Sequence, residues 1–159
     1  LADVGPFEIN VGVRDSQDRL EIAQSLQNTF AEAGITLTIE VGTGGQILEK
    51  YRARQLDVYL GTWGPDYPDP HTNASTFAYN PDNADSAGNT GYLTWRNAWA
   101  AEDLSPQVAA AVVEGDRDTR AKMSADTQRE FLTPPPFVVM LQQTEHHGTT
   151  AAFTTPAVP

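Results

Sequence analysis

The chain has no cysteine, which removes disulfides, thiol nucleophiles and thiolate metal sites from consideration. Basic residues are few: ten Lys and Arg stand against 21 Asp and Glu, for a net charge of −11. A surface of that sign repels polyanions, which argues against nucleic acid or anionic membrane as partner and mildly favours cationic ligands. No apolar run approaches the ~20 residues a bilayer span needs. The opening LADVGPFE carries neither the basic start nor the apolar stretch of a secretory leader. What remains is 159 residues, 40% of them hydrophobic, enough for one folded domain with a modest core.

The hydrophobic pattern changes period along the chain. FEINVGVR (7–14) alternates Phe7, Ile9, Val11 and Val13 with polar or small residues, the period of a strand. DSQDRLEIAQSLQNTFAEAG (15–34) switches to a helical period. Ile22, Leu26, Phe30 and Ala33 share a face, Asp15 or Ser16 caps the start, and Gly34 stops it. ITLTIEV (35–41) alternates again. Gly42, Gly44 and Gly45 predict a turn, QILEKYRARQ (46–55) a short helix, and LDVYLGTW (56–63) a third strand. This β-α-β-α-β order predicts an α/β core with three parallel strands, sequential strands being neighbours in one sheet.

Further on, 71–80 predicts a helical turn or two, and NPDNADSAGNTG (80–91) is loop chemistry. Residues 91–104 carry no clear period. SPQVAAAVVEG (105–115) predicts a helix with Ser105 as N-cap, Pro106 at its first position and Gly115 as its stop. A second helix follows over 117–132 with Met123, Thr127 and Phe131 in one stripe, then a buried strand, Phe137–Leu141. The tail from 142 to 159 is rich in Thr and Pro and shows no period.

The chemistry concentrates in GTWGPDYPDPH (61–71), with Trp63, three prolines, Asp66 and Asp69 directly after the third strand. Proline excludes a helix interior or central strand, so this is an irregular loop with a fixed shape. Parallel α/β sheets bind ligands beyond the carboxyl ends of their strands, where Arg14–Asp18, Gly42–Gly45 and this loop should cluster. Asp66, between Pro65 and Tyr67 and near Trp63, suits an ammonium group: a charge-assisted hydrogen bond with an aromatic wall. The same Asp suits a turn cap, and Trp63 and Tyr67 serve equally as packing residues. Asp69 precedes Pro70 and reads as a turn initiator.

Other constellations are weaker. His71 with Asp69 or Asp66, or Glu145-His146-His147, could supply metal ligands, but neither has recognised zinc spacing. Gly42-Thr43-Gly44-Gly45 before a helix invites a phosphate-loop reading without the Lys-Ser/Thr such a loop requires. Asp66 and Asp69 could form the carboxylate pair of a hydrolase, as any acidic loop could. No GxSxG elbow or nucleophile–base set accompanies them.

The stretches FEINVGV, LEIAQSLQNTFAEAGITLTIEV and LDVYLGTWGPDYPDP, in that order, resemble the C-terminal lobe of the dipeptide/oligopeptide/nickel-type (family 5) substrate-binding proteins of ABC importers. PPPFVVMLQQTEHHG resembles a later strand of that family and the segment returning toward its other lobe, so the likeness spans most of 7–148. It implies a single lobe of a periplasmic-binding-protein-like fold, with residues 1–159 as one α/β lobe of a longer two-lobed protein and 142–159 as return segment and tail. The implied function is capture of a peptide or small solute outside the cytoplasmic membrane and delivery to a membrane permease, with no cofactor and no catalysis. The Asp matching Asp66 pairs with the ligand's α-ammonium and the Trp matching Trp63 lines the pocket, joined by Tyr67 and the backbone of Gly64 and Pro65. Nickel-chelate members carry an Asp-Pro-His ending to this loop, as Asp69-Pro70-His71 do here, which makes a nickel chelate or opine-like solute the alternative and His71 its metal contact. Outside the family stand a carboxylate-based hydrolase and a plain interaction domain. A single lobe is also expected to expose apolar cleft surface and to self-associate.

Overall fold

The structure is a computed structural model that describes residues 7–133 and 136–142. Three parallel strands form its sheet: β1 (Phe7–Arg14), β2 (Ile35–Gly42) and β3 (Val58–Leu60). Helices α1 (Gln17–Glu32) and α2 (Gly44–Arg52) make the crossovers. After β3 come α3 (Pro70–Phe77), a single 3₁₀ turn (Asp85–Ala87), α4 (Leu93–Arg96), α5 (Leu104–Val113) and α6 (Arg117–Phe131). The α/β class and the β-α-β-α-β core match the sequence reading.

The strand order does not: it is β2-β1-β3, with β1 central. β1 pairs with β2 along its whole length, from Phe7 opposite Ile35 to Arg14 opposite Gly42. Its other edge takes β3 from Val11–Val58 to Val13–Leu60. Two features bring β3 to β1. Gly12 has no side chain where Leu56 packs; a Cβ there would come within 3.0 Å of Leu56 Cδ2. Asn10 and Asp57 then exchange bonds, the Asn10 amide donating to Asp57 Oδ2 at 2.8 Å and the Asp57 amide to Asn10 Oδ1 at 2.9 Å. On the β2 side, Gln27 of α1 donates to the Leu37 carbonyl at 2.6 Å and Lys50 of α2 pairs with Glu40.

The first core lies between the sheet and α1. Val11, Val13 and Ala23 are fully buried with Leu37 and Leu60, and Leu20, Ile22, Leu26 and Phe30 pack around them. Each buried valine contributes roughly 1.5–3 kcal/mol. The helix stripe centres on Ala23 rather than running to Ala33, which is exposed. A second core joins Ala78, Ala101, Leu104 and Val108, with Tyr79, Trp99 and Phe131 against it. Here α5 starts at Leu104, ahead of the expected cap: Ser105 sits inside the helix and its hydroxyl accepts from the Asn80 amide at 2.9 Å. The unassigned 91–104 segment contains α4 and the buried Trp95.

Arg54 ties the two halves together. Its φ of 55° follows the end of α2, and its guanidinium lies 3.9 Å from the Trp95 ring centroid. From there it donates to the Trp95 carbonyl, to Asn83 and to Asp85. Nearby, Tyr59 of β3 stacks on Tyr51 of α2 at 4.2 Å, and Arg96 caps Tyr51 at 5.3 Å.

The strand expected over Phe137–Leu141 is absent. Phe137 packs edge-on to Phe77 and stacks on Phe131, but Val138–Leu141 is irregular and exposed, Val139 by 87%. A buried strand needs a paired neighbour and two covered faces, and the described residues supply neither there. Residues 143–159, with Glu145-His146-His147 and nearly all of the proposed return segment, lie outside the described residues.

Candidate functional site

Because the strands are parallel, their carboxyl ends share one edge of the sheet. The chain runs from β1 to β2 on one side and then back past β1 to β3 on the other, so the winding reverses at this edge, the place where parallel α/β sheets bind ligands. Two of the three loops expected there meet directly, and α1 reaches the third. The Asp15 amide donates to the Gly42 carbonyl at 2.8 Å, and the Arg19 guanidinium donates to the Thr62 hydroxyl. Arg14 lies over Gly44 so closely that a Cβ on that glycine would stand 2.5 Å from the guanidinium.

Gly44 and Gly45 therefore do not form a free turn. They open α2, whose N-cap is Thr43, with Gln46 completing a reciprocal capping box. The Thr43 amide donates to Gln46 Oε1 at 2.9 Å and Thr43 Oγ1 accepts from the Gln46 amide at 3.3 Å. That box occupies two of the helix-start donors on which a phosphate-loop reading depends, the Thr43 and Gln46 amides.

β3 ends at Leu60, three residues earlier than the sequence pattern reads, so Trp63 belongs to the loop. Every residue from Gly61 to Pro68 is exposed. Trp63 is 46% exposed; its indole N–H donates to Asn73 Oδ1 at 2.9 Å and its ring meets Phe77 edge-on at 5.6 Å. Tyr67 is 56% exposed, and its carbonyl accepts from the Asp69 amide at 2.9 Å. Gly64 faces open space and Pro65 is exposed. Among the described residues Asp66 makes no hydrogen bond or ion pair, so its carboxylate is uncommitted.

Asp69 has a different fate. It is the N-cap of α3, with Oδ1 accepting from the His71 amide at 2.7 Å. Arg120 of α6 grips both its oxygens, at 2.9 and 3.1 Å. That guanidinium first, and the His71 amide second, hold the Asp69 carboxyl below its ordinary pKa. A carboxylate so fixed does not serve as a proton donor at neutral pH, which takes Asp69 out as the acid of a carboxylate pair. The turn role read from Asp-Pro is the one it has. His71 is partly buried at the start of α3, and no group of three His, Asp or Glu side chains suited to a metal occurs among the described residues.

Four contributors escaped the sequence reading. Arg120 lies 51 residues from Asp69 and Arg19 lies 43 from Thr62, and no local pattern links such pairs. Arg14 was read only as the end of a strand and the start of a loop; it is exposed, and its guanidinium has no hydrogen bond or ion pair among the described residues. Asn73 carried a detectable signal, since Asp69, Asn73 and Phe77 recur every four residues and so share one face of α3.

No curated protein matches the chain. Among solved structures it is similar to the ABC transporter-associated periplasmic binding protein DppA from Helicobacter pylori, in complex with the peptide STSA, with a TM-score of 0.72 and 19% identity over 87% of this chain and 26% of that one. Haemophilus influenzae OppA in complex with RPPGFSPFR gives 0.63 and 17% over 79% and 23%, and NikZ from Campylobacter jejuni in complex with Ni(L-His) gives 0.64 and 18% over 82% and 25%. The chain thus spans about a quarter of each of these three, and at such identities the likeness is one of fold. The family described as bacterial extracellular solute-binding proteins, family 5 Middle, matches residues 4–85, from before β1 through the loop and α3. With just over half its length matched, the chain belongs to the family 5 bacterial extracellular solute-binding proteins.

Proposed function

We propose that the chain is one lobe of a two-lobed binding protein that captures free peptides outside the cytoplasmic membrane and hands them to an ABC-importer permease. Asp66 is the residue on which the reading rests. An exposed carboxylate that has no partner among the described residues, on a loop stiffened by Pro65, Pro68 and Pro70 and three residues from the half-exposed Trp63, is suited to receive an ammonium group. Tyr67 extends the wall, and Gly64 and Pro65 offer their backbone. At the same sheet edge Arg14 supplies a cation whose guanidinium has no hydrogen bond or ion pair among the described residues. An anion and a cation at one sheet edge complement a zwitterion, which a peptide is.

The lobe alone holds half a pocket. Closure of a second body over this edge would exclude water and strengthen each charge-assisted contact, so affinity here should be well below that of a complete protein. A nickel chelate is the second reading, favoured by the likeness to NikZ, which binds Ni(L-His), and by His71. It is the weaker one, because the carboxylate beside His71 is occupied by Arg120.

The test is a titration of the ¹⁵N-labelled chain with a pool of di- to pentapeptides and with the same pool N-acetylated. Saturable shifts confined to the loop from Gly61 to Tyr67 with the free-amine pool support ammonium capture. Equal shifts with both pools, or none with either, count against it.

A further inference from the structure

We propose that Asn73 is the positioning residue of the site, setting the plane of the Trp63 ring that forms the pocket wall; this rests on the peptide-binding reading. The loop that carries Trp63 belongs to no helix or strand, so the ring's orientation must come from its contacts. Among the described residues it makes one hydrogen bond and one aromatic contact, and both come from α3: the bond from the indole N–H to Asn73 Oδ1 at 2.9 Å and the edge-on contact with Phe77 at 5.6 Å. The aromatic contact alone leaves the ring free to roll about an axis through its edge. A hydrogen bond at the indole nitrogen removes that freedom, because it fixes a second point in the ring plane.

The chemistry also assigns the Asn73 amide. An indole N–H only donates, so the oxygen of Asn73 must face it and the amide nitrogen must point elsewhere. Among the described residues that nitrogen has no partner. α3 is itself a firm base. Asp69, one turn before Asn73 on the same face, caps the helix and is held by Arg120 of α6, while Phe77, one turn after, packs on Phe137. The face Asp69–Asn73–Phe77 therefore transmits the position of α6 to the ring of Trp63.

The experiment compares Asn73→Leu, which has similar volume and no acceptor, with Asn73→Asp, which keeps an oxygen but has no amide nitrogen. The side-chain indole resonance of Trp63, assigned with Trp63→Phe, reports the hydrogen bond, and titration with dialanine reports binding. Asn73→Leu is expected to move the indole proton upfield and weaken dialanine about fivefold, the worth of one neutral hydrogen bond. Asn73→Asp should restore the indole shift and at least the original affinity. An indole resonance unmoved in Asn73→Leu overturns the proposal. So does a moved resonance with unchanged affinity, or an affinity still lost in Asn73→Asp once the resonance has returned, which would make the amide a direct ligand contact. Absence of dialanine binding by the unmodified chain refutes the peptide reading instead, and the indole resonance still decides whether Asn73 holds Trp63.

Discussion

Gly61, the first residue of the loop after β3, tests how the sheet fixes the candidate site. Its φ is ordinary, so the constraint on it is space. An added Cβ would stand 2.9 Å from Cζ of Tyr59 and closer still to Cε1. The Tyr59 ring cannot simply slide away, because it stacks on Tyr51 at 4.2 Å and Tyr51 is in turn covered by Arg96. Gly61→Ala must therefore break that stack or shift the loop. Loss of the aromatic pair costs about 0.5–1.5 kcal/mol and overpacking about 1–3 kcal/mol, and since one relieves the other the sum is about 1–3 kcal/mol. For a chain of this size that lowers the melting temperature by roughly 3–10 °C, measurable by thermal unfolding followed by circular dichroism. Removing the obstacle should remove the cost: in a Tyr59→Ala background, Gly61→Ala is expected to be nearly neutral. Equal losses from Gly61→Ala in both backgrounds would refute the reasoning, as would a single variant as stable as the parent with unshifted loop resonances.

Arg120→Gln should destabilise the chain at neutral pH and move the amide resonances of Asp69 and His71. Asp69 has a folded pKa below its unfolded one, so the ion pair's contribution is complete above the unfolded value of 3.8 and disappears as pH falls through the folded value. Stability curves of parent and variant should accordingly converge in acid, and curves that stay parallel below about pH 4 would contradict the role given to this pair. Tyr51 behaves in the opposite sense. Burial pushes its hydroxyl up to about 12 from 10, so the neutral form is favoured on folding, and that contribution is intact below pH 10 and lost as pH rises through about 12. In an alkaline absorbance titration one of the five tyrosines should ionise last, and Tyr51→Phe should abolish that step. Five coincident ionisations in a chain with native circular dichroism would show Tyr51 to be solvated.

Local periodicity made β1, α1, β2 and α6 legible, since each buries one face and its pattern records which. The order of the strands was not legible, because it depends on Gly12 making room for Leu56 and on Asn10 meeting Asp57, contacts with no local signature. The start of α2 was misread for a related reason. Gly44 resembles a turn residue, yet it is small because Arg14 passes over it, and Thr43 with Gln46 caps the helix. The apolar run Phe137–Leu141 looked like a buried strand because composition cannot say whether a neighbour is there to pair with it. At the site, the loop's stiffness and the structural role of Asp69 could be read from its prolines. Its clamps could not: Arg19 and Arg120 come from distant helices, and only the four-residue spacing of Asp69, Asn73 and Phe77 hinted at the supporting face.

The central claim is that Asp66 receives a ligand's ammonium group, and the most direct measurement is the affinity of the chain and of Asp66→Asn for dialanine and for N-acetyl-dialanine, read from loop amide shifts. A charge-assisted hydrogen bond is worth about 1.5–3 kcal/mol, and the exposure of this half-site puts the expectation at the low end, about tenfold. The account predicts that Asp66→Asn weakens dialanine about tenfold, to the level of the acetylated peptide, and leaves the acetylated peptide's own binding unchanged. Equal binding of dialanine by the chain and by Asp66→Asn would contradict it.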